Sequence, residues 1–305
     1  MTAYPTVALA GATGSLGSVA LEELLAAGVP VTVLTRKGAN STESLSPKPN
    51  LTIKEVDYNV PEDLTKALEG TEVVISTLGT PGFALQDALV DAAIAAGVKR
   101  FIPSEFGCDT ANPKTRKLPV YAQKVAIQDK LIEKSKAIPS FSYTLVFNNA
   151  FFDWGIRVGF IINAKTHVTT LPDGGNRRFS VTRLSTIGKA LVGVLANLDE
   201  TKNKSVYVHD AAITKNELIA IFKKIDSQEW ATTITDTAEI EADAYAELAK
   251  ENPDIQSAMV GFIARAIYGE GYGGDFTERL WNELLGLPVL TAVEVEEVVR
   301  SIVAA

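Results

Sequence analysis

The sequence predicts an α/β protein, a doubly wound parallel sheet that carries a smaller, mostly helical portion. Three observations predict it. Strand and helix patterns alternate regularly through the first half of the chain. The strands read as near-continuous apolar runs, as they must where helices cover both faces of a sheet. The first strand runs directly into Gly11-Ala-Thr-Gly14-Ser-Leu-Gly17 and then into a helical pattern, all within the first turn of the fold.

Taken in order, the strand patterns fall at Thr6–Ala10, Pro30–Thr35, Leu51–Val56, Glu72–Thr77, Lys99–Ile102 and Tyr143–Phe147. Helix patterns lie between them, near Ser15–Ala27, Pro61–Leu68, Leu85–Ala96 and Pro119–Lys136. After Phe147 the rhythm changes. Aromatic residues crowd together, and Pro172-Asp-Gly-Gly175 reads as a hairpin turn. A helix near Thr186–Ala196 and a strand near Ser205–Val208 predict a brief return to the sheet, and the later helical segments are interrupted at Gly269–Gly274. The chain therefore divides into residues 1–150, a dinucleotide-binding unit, and 151–305, mainly a substrate-binding portion whose segments near 180–225 rejoin the sheet.

Bulk properties narrow the function. With 305 residues, 46% of them apolar and 22% charged, the chain has ample material for a core. A net charge of −8 without a basic run argues against nucleic acid as a partner. The single cysteine, Cys108, makes no internal disulfide. No apolar stretch is long enough to span a bilayer, and no basic region precedes an apolar run at the N-terminus. The expectation is a cytoplasmic protein, a monomer or homodimer, with a small-molecule substrate and no membrane. His167 and His209 lie far apart with no metal-ligand spacing, so no metal is expected.

The glycine motif carries the first chemical reading. A strand, a glycine turn and a helix bring backbone N–H groups to a pyrophosphate: Gly11 permits the turn, Gly14 the approach of the phosphates and Gly17 the close packing of helix on strand. Thr13, Ser15 and Leu16 complete the cradle. In an NAD site a carboxylate would follow about 20 residues on to bond the ribose 2′-hydroxyl. Here the second strand ends in Arg36 and Lys37, which suit the 2′-phosphate of NADP(H). Thr77, Leu78 and Gly79 end the fourth strand, and Ser104, Glu105 and Phe106 follow the fifth, at the edge where ligands bind in this NAD(P)-binding, Rossmann-type architecture.

On the helix after the fifth strand, at 100° per residue, Lys124 falls within the stripe of Val120, Tyr121, Ile127 and Leu131. An unpaired ammonium there is expensive, so Lys124 is capped by a carboxylate, snorkelling or functional. A functional lysine would hold ribose hydroxyls and act as acid or base, with desolvation lowering its pKa. Tyr121 sits one residue too close to it to reproduce the Tyr-x-x-x-Lys pair of short-chain dehydrogenases. Phe147, Asn148, Phe151 and Phe152 follow the sixth strand. With Phe106 they are expected to wall a pocket for an aromatic substrate.

Together, Gly11–Gly17, the Arg36 strand end, Phe101-Ile-Pro-Ser-Glu-Phe-Gly107 and Lys124 in Lys-Val-Ala-Ile-Gln128 resemble the NmrA-like, isoflavone-reductase-like family of atypical short-chain dehydrogenases. The resemblance covers roughly the first 150 residues, and Asn-Asn-Ala-Phe-Phe152 is similar to fungal or bacterial members. It implies NADPH-dependent reduction of a small aromatic or phenolic carbonyl, enone or benzylic ether, with Lys124 in the place of the family's general acid/base lysine. Relatives that only bind NAD(P) typically lack that lysine. Two other readings remain: an NADP(H) sensor that binds a protein partner without turnover, and an epimerase or dehydratase that retains its cofactor.

Overall fold

The structure, a computed structural model, describes residues 4–38, 45 and 47–304. Its first half is β1 (Val7–Ala10), α1 (Ser15–Ala26), β2 (Val31–Arg36), β3 (Leu51–Val56), α2 (Pro61–Ala67), β4 (Val73–Ser76), α3 (Leu85–Ala95), β5 (Arg100–Ile102), α4 (Ala122–Ala137) and β6 (Ser142–Phe147). Each strand pattern read from the sequence is found within a residue or two, and α4 begins after a separate 3-10 turn at Pro119–Tyr121. That turn is the reason the helix starts later than its pattern. The second half supplies β7 (Ala150–Phe151), α5 (Phe152–Arg157), β8 (Val168–Pro172), β9 (Phe179–Thr182), α6 (Leu184–Ala196), β10 (Lys204–Tyr207) and β11 (Ala211–Ile213). It ends with α7 (Lys215–Asp226), β12 (Ala231–Thr235), α8 (Thr237–Leu248), α9 (Ile255–Tyr268) and α10 (Ala292–Ala304).

Seven strands form one parallel sheet in the order β10-β6-β5-β4-β1-β2-β3. β1, β4 and β5 are buried along their whole length, which is why they read as unbroken apolar runs. α1 and α6 pack together, and their apolar faces join Val7, Leu9, Val33 and Val206 of the sheet in one core. A second core gathers Leu64 of α2, Leu89 of α3 and Leu131 of α4 with Ala8, Val74 and Phe101. The sheet is thus sandwiched between helices on both faces. Buried Arg100 on β5 is satisfied by Ser142 Oγ at 2.7 Å, Thr144 Oγ1 at 2.8 Å and the Leu198 carbonyl at 2.6 Å, tying β5, β6 and the end of α6 together.

Strand order reverses between β1 and β4. The chain winds outward from β1 through β2 and β3, then from β4 through β5, β6 and β10 on the other side. A crevice opens beyond the carboxyl ends of the strands at such a switch point. The second half covers this edge with a three-stranded sheet, β11-β9-β7, a parallel pair β12-β8, and the packed helices α8 and α9.

The hairpin expected at Pro172–Gly175 is not formed. Gly174 and Gly175 do turn the chain at φ +82° and +74°, but β8 pairs with β12 while β9 pairs with β7 and β11. Asp173 explains the difference. Its carboxylate accepts from the backbone N–H and the hydroxyl of Thr237, each at 2.8 Å, so the turn is fastened to the start of α8.

Candidate active site

A cleft of about 610 Å³ opens at the switch point. Its floor is the glycine turn. Gly11 has φ +86°, and a Cβ there would meet the Thr77 carbonyl at 2.8 Å. Gly17 is tighter still: a Cβ would lie 2.0 Å from the Gly11 carbonyl oxygen, so only glycine lets α1 sit this close to the end of β1. Gly14 is the N-cap of α1 in extended backbone, with no side-chain cap and no acid in the first turn. The N–H groups of that turn, from Ser15 to Gly17, are left for an anion, and the helix dipole favours one.

Thr13, Gly14 and Arg36 line the cleft, with Tyr58, Thr77, Leu78 and Gly79. Thr77 Oγ1 donates to the Ala10 carbonyl at 2.9 Å, locking β4 to β1. Tyr58, which sequence reading passed over, is buried below Arg36, and burial pushes its hydroxyl up to about 12. Lys37 is exposed, and neither it nor Leu16 or Gly17 borders the cleft. Leu16 is buried in the core under α1, so Leu16 and Gly17 serve the cradle through packing and backbone. Side-chain contact with a ligand is not their part.

Ser104 joins the next two loops. Its Oγ donates to the Leu78 carbonyl and its N–H to Gln86 Oε1, both at 2.8 Å. Lys124 lies just beyond, half-buried, with Nζ donating to the Glu105 carbonyl and standing 5.3 Å from the centre of the Phe83 ring. Phe83 belongs to the loop whose Gly79, Pro81 and Gly82 line the cleft, so the ammonium adjoins it. Burial lowers the Lys124 pKa, and the field of Glu105 opposes the fall.

Glu105 was expected against the cofactor. Its carboxylate instead turns inward, only 1% exposed, where Oε2 accepts from Thr110 Oγ1 at 2.7 Å and Thr110 is held by Gln128. Burial raises the Glu105 pKa, and Lys124 lowers it. Phe106 is buried at a strained φ of +22°. Three deeply buried polar atoms near Lys124 have no partner among the described residues: Glu105 Oε1, the Tyr121 hydroxyl and Asn148 Oδ1. Buried polar groups of this kind are normally satisfied by protein or by ordered water.

The expected aromatic wall needs correcting. Phe147 is fully buried against Tyr207, with ring centres 5.2 Å apart, and Phe152 is fully buried in the core of the second half. Neither presents a face to a ligand. Phe151 is half-buried with its edge on Trp154, and Asn148 is wholly buried with its amide donating to the Asn149 carbonyl at 3.0 Å. Asn149 Nδ2 in turn donates to the Gly274 carbonyl at 2.7 Å, bringing the glycine-rich segment 269–274 over the β5 loop. Phe83 is a further residue of the site, and its place in the loop after the β4 end, with Gly79 and Gly82, is the local signal for it.

Comparison with known proteins gives the family and the fold. The family model described as "NmrA-like family" matches residues 4–240. The oxidoreductase aprR of Aspergillus flavus is 32% identical over 279 residues, 89% of this chain and 89% of that one. The oxidoreductase poxI of Penicillium oxalicum is 30% identical over 303 residues, 94% and 91% of the two chains. A phenylcoumaran benzylic ether reductase of Pinus taeda is 29% identical over 235 residues, covering 72% of this chain and 75% of its own. Among solved structures, AtPrR2 with NADP+ and (+)-pinoresinol superposes with a TM-score of 0.78 at 25% identity, covering 99% of this chain and all of the other. The leucoanthocyanidin reductase–NADPH complex of Vitis vinifera shares the fold, with a TM-score of 0.74 at 22% identity over 97% of this chain and 99% of its own.

Proposed function

The chain belongs to the NmrA-like family, and on that premise we propose that it is an NADPH-dependent reductase of a small aromatic or phenolic carbonyl, enone or benzylic ether. The carrying observation is the half-buried Lys124 ammonium beside a cleft whose floor is a glycine turn and an uncapped helix. The cleft fits a dinucleotide phosphate. Gly11, Thr13, Gly14 and the first turn of α1 hold the pyrophosphate, Arg36 faces the 2′-phosphate, and Thr77–Gly79 and Ser104 border the path towards Lys124. Among the described residues, no carboxylate lines the cleft to compete with that phosphate. The bound cofactor supplies hydride.

Lys124 delivers a proton to the substrate oxygen as negative charge develops there. The Glu105 carbonyl aims Nζ, and the field of the buried Glu105 carboxylate opposes the loss of the proton that burial promotes. Phe83, whose ring centre is 5.3 Å from the Lys124 ammonium, suits an aromatic body, with Phe106 following Glu105 in the next loop. The names of the plant relatives support an aromatic substrate, and residues 151–305 carry its specificity.

Calorimetric titration tests the cofactor side. NADPH should bind at least about tenfold more tightly than NADH, and Arg36→Ala should erase the difference by removing one charge-assisted pair. A panel of aromatic ketones, enones and benzylic ethers, followed by loss of NADPH absorbance, tests the substrate side. Failure of NADPH to bind would sink the reading.

A further inference from the structure

We propose that the cleft between β11, α7 and α10 is a second ligand site, built for a small neutral carbonyl compound. It holds about 390 Å³ and shares no residue with the cofactor cleft. It lies beside the end of β10, three strands from β4, or roughly 14 Å along the sheet. Ala212, Ile213, Ile221, Val289, Leu290 and Val295 make its apolar walls. One buried polar group opens into it, the imidazole of His209, only 2% exposed.

The hydrogen bonds fix what that imidazole offers. Ser180 Oγ accepts from the Phe276 N–H at 2.9 Å and lies 2.9 Å from His209 Nδ1. Ser180 has no other acceptor among the described residues, so its own proton goes to Nδ1, which is then unprotonated. The ring proton therefore resides on Nε2, a donor with no protein partner among the described residues. Burial pushes the His209 pKa down to about 4, so the ring is neutral under ordinary conditions. Asn282 fixes the backbone on both sides, accepting from the His209 N–H at 3.3 Å and donating to its carbonyl at 2.8 Å. The donor is preorganised. Ser180 itself is fully buried and out of a ligand's reach, which excludes a Ser–His nucleophile.

Charge decides the ligand class. The two cations at the mouth already have carboxylates: Lys224 pairs with Glu296 at 3.1 Å, and Arg178 lies 3.8 Å from Asp275 and 4.0 Å from Glu217. The cleft lining itself carries two acids, Glu217 and Glu296, and two bases, Arg178 and Lys224, and Glu296 also holds Arg300 at 2.7 Å, so the rim offers an anion no free counter-charge. A cation would face the N–H of His209. What remains is a neutral acceptor with a compact apolar body, and the volume sits near the small end of the roughly 300–1,000 Å³ of ligand cavities. This inference is independent of the reading of the cofactor cleft.

The chain has only two histidines, so ¹⁵N-imidazole NMR reads His209 directly. The free protein should show His209 as the Nε2–H tautomer across neutral pH. With NADP+ saturating the cofactor cleft, acetophenone should shift the His209 signals saturably and leave His167 unmoved. Benzoate, lacking neutrality, and ethylbenzene, lacking the acceptor, should bind at least about tenfold more weakly. Val289 is 49% exposed on the cleft wall, so V289W should fill the site, abolish the acetophenone shift and leave NADPH affinity unchanged. An Nδ1–H tautomer, no shift of His209 up to the solubility limit, equal binding of the two controls, or an unchanged shift in V289W would each overturn the proposal. The tautomer and control-ligand measurements use the unmodified chain and hold whether or not the variant folds.

Discussion

Lys124 is held between opposing influences. Loss of water around its ammonium favours the neutral amine, while the Glu105 carboxylate, itself buried, favours the charged form. Its proton is therefore easier to give up than an ordinary lysine's, and the Glu105 field works to retain it, as a general acid requires. Lys124→Met keeps the length and apolar stem and removes the proton, so kcat should fall by about 10² or more with NADPH affinity close to the parent's. Single-turnover reduction compared with calorimetry separates the two. The pH profile tests the positioning role of Glu105. Activity needs the ammonium and so declines as pH rises through the Lys124 pKa, below the ordinary lysine range. Glu105→Gln removes the charge that opposes desolvation, so the alkaline limb should move to lower pH. A limb that stays in place would mean that Glu105 only fills space.

The turn between β1 and α1 is the element where the physics was most legible in the sequence. Its glycines are dictated by backbone contacts, so residue type alone reveals them. Yet the three do different work. A Cβ at Gly14 meets only the Gly11 oxygen, at an ordinary 3.4 Å, and its φ of −78° suits any residue. A Cβ at Gly17 meets that oxygen at 2.0 Å and Thr77 Oγ1 at 2.7 Å. Gly17→Ala should therefore push α1 off the sheet and destabilise the fold by about 1–3 kcal/mol. Gly14→Ala should leave the melting temperature alone and weaken NADPH by intruding on the phosphates. Thermal denaturation and titration of both variants check this division. Other elements were less legible because their partners are distant. Pro172-Asp-Gly-Gly175 announces a turn, but Asp173's bond to Thr237, 64 residues away, decides which strands meet. Phe147 and Phe152 look like a pocket wall by type, yet contacts with β10 and the second half bury them.

At the scale of the molecule, the second half reaches back to hold the loop that holds Lys124. Asn112 and Thr115 donate to carbonyls of Gly271 and Tyr272 at 3.1 and 2.7 Å, and Asp109 receives Arg279 Nη1 at 2.7 Å and the Tyr207 hydroxyl at 3.1 Å. Arg279 also stacks on the Tyr207 ring at 4.3 Å. A glycine-rich run at 269–274 was visible in the sequence as an interruption, but not its purpose. Gly271 and Gly273 both take φ of +78°, and a Cβ on Gly273 would press to 3.0 Å from the Asp109 carboxylate, so the segment must be bare to lie this close. Asp109 is 1% exposed in its side chain and Arg279 38%. Removing the arginine therefore strands a carboxylate that water cannot reach. Arg279→Ala should destabilise by roughly 3 kcal/mol, near the low end for a broken buried pair because the guanidinium is partly wet. Asp109→Asn in the same chain removes the stranded charge while keeping an acceptor for Tyr207, so the double variant should recover part of the loss. Urea unfolding measures both. Turnover should follow a different rule: neither change touches the cofactor cleft, so NADPH affinity should persist while kcat falls in step with the freedom given to the Glu105–Thr110 loop. If kcat stayed at the parent value in a destabilised Arg279→Ala protein, the clamp would serve stability alone and Lys124 would be positioned entirely from its own half of the chain.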